Sequence, residues 1–177
     1  MSKGIDIPID SLVSLFNSYL WTNTTNKTFY GRVFRNERFE SFQSKISPEI
    51  YTSSTDYIEV LKNDNLDAQC FFDVQPTGDS QKSDFHTANV WVVFMIDLSK
   101  VYPLLTRQEA TEEAHREVEL LLLDSKFELK GNSLVRGFNA VIDYDWGENS
   151  DQARTDMYPH YCFRFEGTID YQLSNCS

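Results

Sequence analysis

The chain has 177 residues, enough for one domain that buries a core without a metal or disulfide staple. Hydrophobic residues make up 41% of it and aromatic residues 14%, which excludes a chain that is disordered throughout. The formal net charge of −11 argues against a protein that grips nucleic acid by its phosphates, because such binding requires a basic surface.

The first predicted element is an amphipathic helix. Apolar residues recur at helical spacing from Leu12 to Leu20, and Asp10 is positioned to cap the first turn. A polar run at 22–28 ends this pattern, and Phe29 to Phe34 is predicted to form a strand. Signals are weaker from Arg35 to Asp67, where we expect loops and one or two short strands.

The middle of the chain predicts two strands, a loop and a second helix. Ala68 to Val74 has strand composition, and the turn-forming residues at 76–84 are expected to be a mobile loop. Asn89 to Leu98 is apolar on both faces, which is typical of a central strand. The segment 106–125 starts with the spacing of a capping box and predicts an amphipathic helix.

The last part of the chain predicts further strands. Phe127 to Leu129 and Val135 to Tyr144 are predicted strands around a turn at 131–132, and an acidic connection follows. From about Tyr158 to Leu173 every second residue is apolar, which predicts a long amphipathic strand. We expect this strand to be too long to pair only within its own sheet, and Gly167 to mark a bend or bulge.

These elements predict a single domain over residues 1–177. The expected fold class is α+β, with a mostly antiparallel sheet packed against two amphipathic helices and a long C-terminal strand. No segment is apolar enough over sufficient length to span a bilayer or to act as an export signal. The three cysteines are odd in number and lack CxxC spacing, so they predict neither a disulfide framework nor a zinc site and favour a reducing compartment.

Sequence motifs with a known catalytic mechanism are missing from the chain. It has no glycine-rich phosphate loop, no nucleophile elbow and no HExxH zinc motif. We therefore expect a protein that is not an enzyme, with no catalytic residue, no cofactor and no metal site.

One helical segment has the spacing of a metal motif. Glu112 and His115 form a Glu-x-x-His pair, as used in di-metal bundles, and Glu119 lies one turn further. Such a site needs a second copy of the motif and two more carboxylate helices, which the sequence does not offer. We interpret the segment as a solvated helix face.

An acidic segment resembles the start of a calcium-binding loop. The acidic residues that carry the resemblance are Asp143, Asp145 and Glu148. Gly147 falls one position early, and Arg154 stands where the closing glutamate is expected. We interpret the segment as an acidic surface turn, with an irregular cation site completed by Asp151 and Asp156 as the alternative.

Cys162 and His160 suggest a thiol beside an imidazole. Two residues apart on a strand, they share one face at a distance of about 7 Å, farther than a direct hydrogen bond between short side chains. We interpret Cys162 as a structural thiol on the polar face of the strand. His86 is expected to be exposed at the end of the polar loop.

The order and character of four elements resemble a known family. These elements are the first helix, the central strand VWVVFMIDL at 90–98, the acidic helix and the closing strand YPHYCFRFEGTIDYQL at 158–173. Together they resemble small neck proteins of tailed bacteriophages, of the tail-terminator and tail-completion type. The chain also resembles a ring protein from the neck of a crAss-like phage. The similarity covers residues 85–173 best.

The resemblance implies a structural virion protein that is assembled in the host cytoplasm. Copies would form a ring around the DNA channel between head and tail, beside other neck, portal-side or tail proteins and without membrane contact. DNA would pass without specific binding, since an acidic wall repels phosphates. Contacts are expected on the final strand, at 76–88 and on the helix at 106–125.

Two other functions are compatible with the sequence. The first is a monomeric binding or adaptor module that uses the exposed loop. The second is a metal-dependent hydrolase. The residues available to such a hydrolase are Asp143, Asp145, His115 and His160.

Overall fold

The computed structural model describes residues 4–40, 43–52, 56–61, 63, 65–75, 80–82, 85–137, 141 and 158–172. The helices within these residues are α1 (Asp6–Tyr19), α2 (Leu98–Val101) and α3 (Arg107–Leu123). The strands are β1 (Lys27–Glu40), β2 (Gln43–Tyr51), β3 (Tyr57–Glu59), β4 (Ala68–Val74), β5 (Ser80–Lys82), β6 (Phe85–Asp97), β7 (Phe127–Arg136) and β8 (His160–Gln172).

The strands form one mixed sheet. Seven of them lie in the order β3-β2-β1-β4-β6-β8-β7, and β5 pairs with the start of β6. β1 and β4 run parallel, whereas the other pairs are antiparallel. The α+β fold with a mostly antiparallel sheet and a long last strand is therefore confirmed.

α1 and α3 cover one face of the sheet and bury the larger of two apolar clusters there. Residues three and four apart in each helix share the side that faces the strands. Phe16 of α1 stacks on Phe72 of β4 with ring centroids 6.0 Å apart. Phe94 of β6 stacks on Phe163 of β8 at 5.1 Å. Aromatic packing between helix and sheet and between neighbouring strands thus forms the main core.

The two long helices begin differently. The amide of Glu109 donates to Thr106 Oγ1, and the amide of Thr106 donates to Glu109 Oε2 at 2.9 Å, which confirms the capping box of α3. The prediction that Asp10 caps α1 is wrong. That helix already begins at Asp6, with the apolar residue Ile5 as its N-cap, so Asp10 lies inside it.

The region 35–67 differs most from its prediction. Instead of loops and one or two short strands, it holds the second half of β1, the nine-residue β2 and the short β3. β1 pairs with β4 only up to Val33, and from Phe34 onward it pairs with β2. The β1–β2 hairpin therefore continues past the end of the β1–β4 ladder, and β3 follows as the outermost of the described strands on that side.

β8 lies inside the sheet. It pairs with β6 along its whole length, from Asp97 opposite His160 to Phe85 opposite Gln172, and with β7 on its other side. The prediction that this strand is too long for its own sheet is wrong, because β6 has the same length of 13 residues.

The polar segment predicted as a mobile loop at 76–84 contains a strand. Its residues 80–82 form β5, which pairs with the first three residues of β6. Residues 76–79 and 83–84 lie outside the described residues. The hairpin lengthens the sheet beyond the end of β4.

β7 is one strand rather than two. It runs through the predicted turn, where Asn132 has a φ of 58°, and its pairing with β8 shifts register between Leu129 and Leu134. The predicted strand at 135–144 ends at Arg136, and Val141 is helical. Residues 138–140 and 142–144 lie outside the described part of the chain.

Gly167 allows β7 to pack closely against β8. A Cβ atom at this position would clash with the ring of Phe127 and lie 2.5 Å from the carbonyl oxygen of Glu128. Gly167 was expected to mark a bend or bulge in β8. The irregularity lies instead in β7, where the pairing register shifts after Leu129, the residue opposite Gly167. A close contact, rather than a bend, requires the glycine.

Candidate functional site

His115 belongs to the core. Its side chain is 6% exposed, its Nε2 lies 3.0 Å from the hydroxyl of Tyr161, and its ring packs edge-on against Phe163. The pKa of His115 is lowered to about 4, mainly by burial and also by the charge of Arg136, while Glu112 acts in the opposite direction. The interpretation of this residue as part of a solvated face is wrong.

The glutamates near His115 point elsewhere. Glu112 and Glu119 are exposed, and Glu113 forms an ion pair with Arg116 on the helix surface. A metal centre built on this helix would need these carboxylates beside the imidazole. Among the described residues, no three His, Cys, Asp or Glu side chains lie close enough together to hold a metal ion.

His160 and Cys162 are separated by their surroundings. His160 is half-buried at the start of β8, opposite Asp97. Cys162 is 1% exposed and belongs to the smaller apolar cluster, on the sheet face opposite the helices. The prediction that Cys162 lies on a polar face is wrong, because the middle of this sheet face holds the smaller apolar cluster. The interpretation of Cys162 as a structural thiol is consistent with its burial.

Two further sequence candidates have different outcomes. The residues of the calcium-like segment, Asp143, Asp145, Gly147, Glu148, Asp151, Arg154 and Asp156, lie outside the described residues. His86 was predicted to be exposed, but it is half-buried in β6 and stacks on Tyr171 of β8 with ring centroids 5.4 Å apart.

A hydrogen-bonded chain joins the end of α1 to α3. Trp21 Nε1 donates to the hydroxyl of Tyr102 at 2.7 Å, and that hydroxyl donates to Glu117 Oε2 at 2.8 Å. Burial raises the pKa of Tyr102 well above its ordinary value, and the hydrogen bond and charge of Glu117 add to this. The phenol therefore stays protonated and acts as a structural link.

The sheet face opposite the helices carries a row of alternating acidic and aromatic side chains. Asp73, Trp91 and Glu166 lie side by side on β4, β6 and β8. The guanidinium carbon of Arg164 lies 3.6 Å from the centroid of the Trp91 ring, and that of Arg35 lies 5.9 Å from it. Trp91 thus contacts two cations.

Both arginines in this row are paired with carboxylates. Arg35 Nη2 donates to Asp73 Oδ2 at 2.7 Å, and Arg164 Nη2 donates to Glu166 Oε1 at 2.6 Å. Arg164 Nη1 also donates to the carbonyl oxygen of Val141. The two positive and two negative charges balance, so this network favours a structural role over attraction of a charged ligand.

A groove lies between α1, the turn after α3 and the end of β8. It has a volume of about 690 Å³, and its apolar wall includes Ile7, Pro8, Leu12 and Ile169. Asp124 and Lys126 lie at its polar side. The groove could hold a segment of another chain, but its lining contains no arrangement typical of catalysis.

The sheet ends at β3 on one side and at β7 on the other, among the strands that the structure describes. At the β3 edge, Tyr57 and Ile58 are 45% and 52% exposed, and Tyr51 packs beside Tyr57 with ring centroids 5.2 Å apart. Exposed apolar side chains on an edge strand are typical of a site for strand addition.

The two edges carry opposite charge. Asp56 and Glu59 are exposed at the β3 edge. Lys126, Lys130 and Arg136 are exposed along and beside β7, together with Glu128. The apolar periodicity of the sequence did not indicate that β3 and β7 are edge strands. The position of a strand in a sheet depends on which other strands pair with it.

Comparison with known proteins found no match to a protein-family model, to a curated protein or to a solved structure. None of the helices described is long and apolar enough to cross a membrane.

Proposed function

We propose that the protein is a structural, non-enzymatic subunit of the neck of a tailed bacteriophage. Copies of it assemble into a ring around the DNA channel between head and tail, in contact with other neck, portal-side or tail proteins. The observation that carries this proposal is the sheet that ends at β3 in an edge with exposed apolar and acidic side chains and at β7 in a basic edge. A subunit with two different, complementary edges can join copies head to tail.

Two further features support the proposal. The order of helix, central strand, acidic helix and long last strand resembles that of phage neck proteins. The net charge of −11, repeated around a channel, would repel the phosphate backbone and let DNA slide.

The groove beside α1 favours a second candidate function, a monomeric adaptor that binds a segment of another protein. Its volume of about 690 Å³ and its apolar wall suit a short peptide segment. The hydrolase alternative is weakened because His115, one of its four residues, is packed against Tyr161 and Phe163.

Quantitative mass spectrometry of purified particles of the encoding phage tests the neck function. We expect the protein in intact particles at a fixed low copy number, with antibody labelling confined to the junction of head and tail. Its absence from intact particles, or labelling elsewhere, would contradict the proposal. A monomeric mass of the isolated protein would not, because neck subunits can assemble on their partners.

A further inference from the structure

We propose that neighbouring copies join edge to edge, with β3 of one copy adding to the outer side of β7 in the next, so that the sheet continues between subunits. The occupant of each edge is thus a second copy of this chain. The inference rests on the proposed function for the ring, but the pairing itself can be tested on the purified protein.

The directions of the two edge strands suit this pairing. Six steps lead across the sheet from β3 to β7, and five of them are antiparallel, the exception being β1 to β4. β3 and β7 therefore run in opposite directions. Two copies placed in line, with their helices on the same side, would bring β3 antiparallel to β7, the more stable of the two ladders.

Backbone groups on β3 face outward at the required position. The amide of Val60 donates to the carbonyl of Pro48, and the amide of Thr52 donates to the carbonyl of Asp56, both at 3.0 Å. Hydrogen-bonded and non-hydrogen-bonded pairs alternate along an antiparallel ladder. Tyr57 is opposite Tyr51 in a non-hydrogen-bonded pair, so its amide and carbonyl point away from β2.

The same alternation applies to β7. The amide of Gly137 donates to the carbonyl of Cys162 at 3.0 Å, which places a hydrogen-bonded pair at that position. Counting back along the register, Leu134 and Arg136 form non-hydrogen-bonded pairs with β8. Their amides and carbonyls therefore point to the outer side of the sheet. Both edges can supply donors and acceptors for a shared ladder.

Side-chain chemistry favours the same partner. The acidic residues Asp56 and Glu59 flank the β3 edge, whereas Lys130 and Arg136 carry positive charge on β7. In a protein with a net charge of −11, the basic β7 edge provides a complementary surface for an acidic edge of another copy. Pairing would also cover Ile58, which is 52% exposed.

A contact between two different edges is heterologous. Such a contact repeats from copy to copy and closes into a ring when the rotation between copies closes. Pairing of β7 with β7 across a twofold axis would instead give a dimer and leave both β3 edges uncovered. The mass of the assembly distinguishes these two arrangements.

The test compares Tyr57→Pro with Tyr57→Ala. Proline removes the outward amide without breaking a hydrogen bond to β2, whereas alanine removes the same ring and keeps the amide. We expect the wild type to form a closed oligomer larger than a dimer in native mass spectrometry. Tyr57→Pro should weaken assembly at least roughly tenfold, and Tyr57→Ala much less. Circular dichroism and melting temperature establish that both variants are folded.

A charge exchange tests the partner edge. Lys130→Glu with Arg136→Glu should weaken assembly, as should Asp56→Lys with Glu59→Lys, and the four changes together should restore it. Restoration would support contact between β3 and β7. A variant with all four changes that assembles as weakly as either double variant would contradict this contact.

Particle incorporation provides the second measurement. In phage that lack the native gene, Tyr57→Ala should enter particles and Tyr57→Pro should be excluded. Assembly or incorporation of folded Tyr57→Pro at the wild-type level overturns edge pairing and leaves the neck function intact. An edge-dependent oligomer that is absent from particles overturns the neck function and leaves the pairing intact. A monomer that is also absent from particles overturns both.

Discussion

The two faces of the sheet are held in different ways. The face under α1 and α3 is filled by stacked aromatic rings, such as Phe94 on Phe163. The opposite face has a smaller apolar cluster, beside which Arg35 and Arg164 are paired with carboxylates around Trp91. The helix face therefore depends on volume and shape, whereas the other face depends on balanced charge.

The largest effect is expected in the centre of the helix face. Phe94→Ala removes a fully buried ring that contacts Phe16, Trp21 and Phe163, so it should lower the free energy of unfolding by about 4 kcal/mol in urea titration. The matched control is Phe34→Ala, since Phe34 is 40% exposed. Equal losses for both variants would show that burial on this face does not dominate stability.

The buried imidazole makes the same face sensitive to acid. Because the pKa of His115 falls from 6.5 to about 4 on folding, the unfolded chain binds a proton first as the pH drops. Stability should decrease between pH 6.5 and 4 by about 3 kcal/mol from this residue. His115→Gln should remove that part of the decrease. The measurement is urea unfolding of both proteins across this range, and parallel pH profiles would contradict the prediction.

The contact of β7 with β8 can be tested with two glycines. Gly167→Ala forces a methyl group against Phe127 and the Glu128 carbonyl, so it should cost about 2 kcal/mol in unfolding free energy. Gly131→Ala is the control, because a Cβ at that position has no neighbour within 4 Å, and its effect should stay within about 0.5 kcal/mol. A similar loss for both would contradict the close-packing explanation, since the entropy effect of a Gly→Ala change on the unfolded chain favours folding.

The opposite face should respond to charge. A double-mutant cycle of Arg35→Ala and Asp73→Ala should give a coupling of about 1.5 kcal/mol, reduced because Arg35 is partly exposed. The pair Arg116 and Glu113 on the surface of α3 is the control and should give a coupling too small to resolve. Equal coupling energies in the two cycles would show that the stability of the face opposite the helices does not depend on the ion pair of Arg35 and Asp73.

Strong periodicity made several elements predictable. The runs at 68–74 and 89–98 and the capping box at Thr106 indicated β4, β6 and α3, because burial on both faces or on one stripe leaves a regular pattern. The hairpin of β1 and β2 was missed, since its polar residues on both sides produce no apolar alternation. Sequence patterns describe a strand's faces but not its neighbours.

Tertiary contacts account for the remaining differences. The charged sequence neighbours of His115 indicate a solvated face, whereas its burial follows from contacts with Tyr161 and Phe163, which are distant in sequence. Arg164 follows Cys162 by two residues and so shares its predicted polar face, yet it is 8% exposed and donates a hydrogen bond to the carbonyl of Val141. The edge character of β3 and β7, on which the proposed assembly depends, follows from strand order and lies beyond any local pattern.

The position of β8 between β6 and β7 has a consequence for folding during synthesis. Among the described strands, β8 is the last in chain order and the only partner of β7. Until residue 172 has emerged from the ribosome, β6 is unpaired on the side that faces β8, and β7 lacks its pairing with β8. Phe94 also lacks its stacking contact with Phe163. The core therefore closes late, by insertion of one strand into a gap, and nascent chains pass through a stage with exposed apolar strand edges.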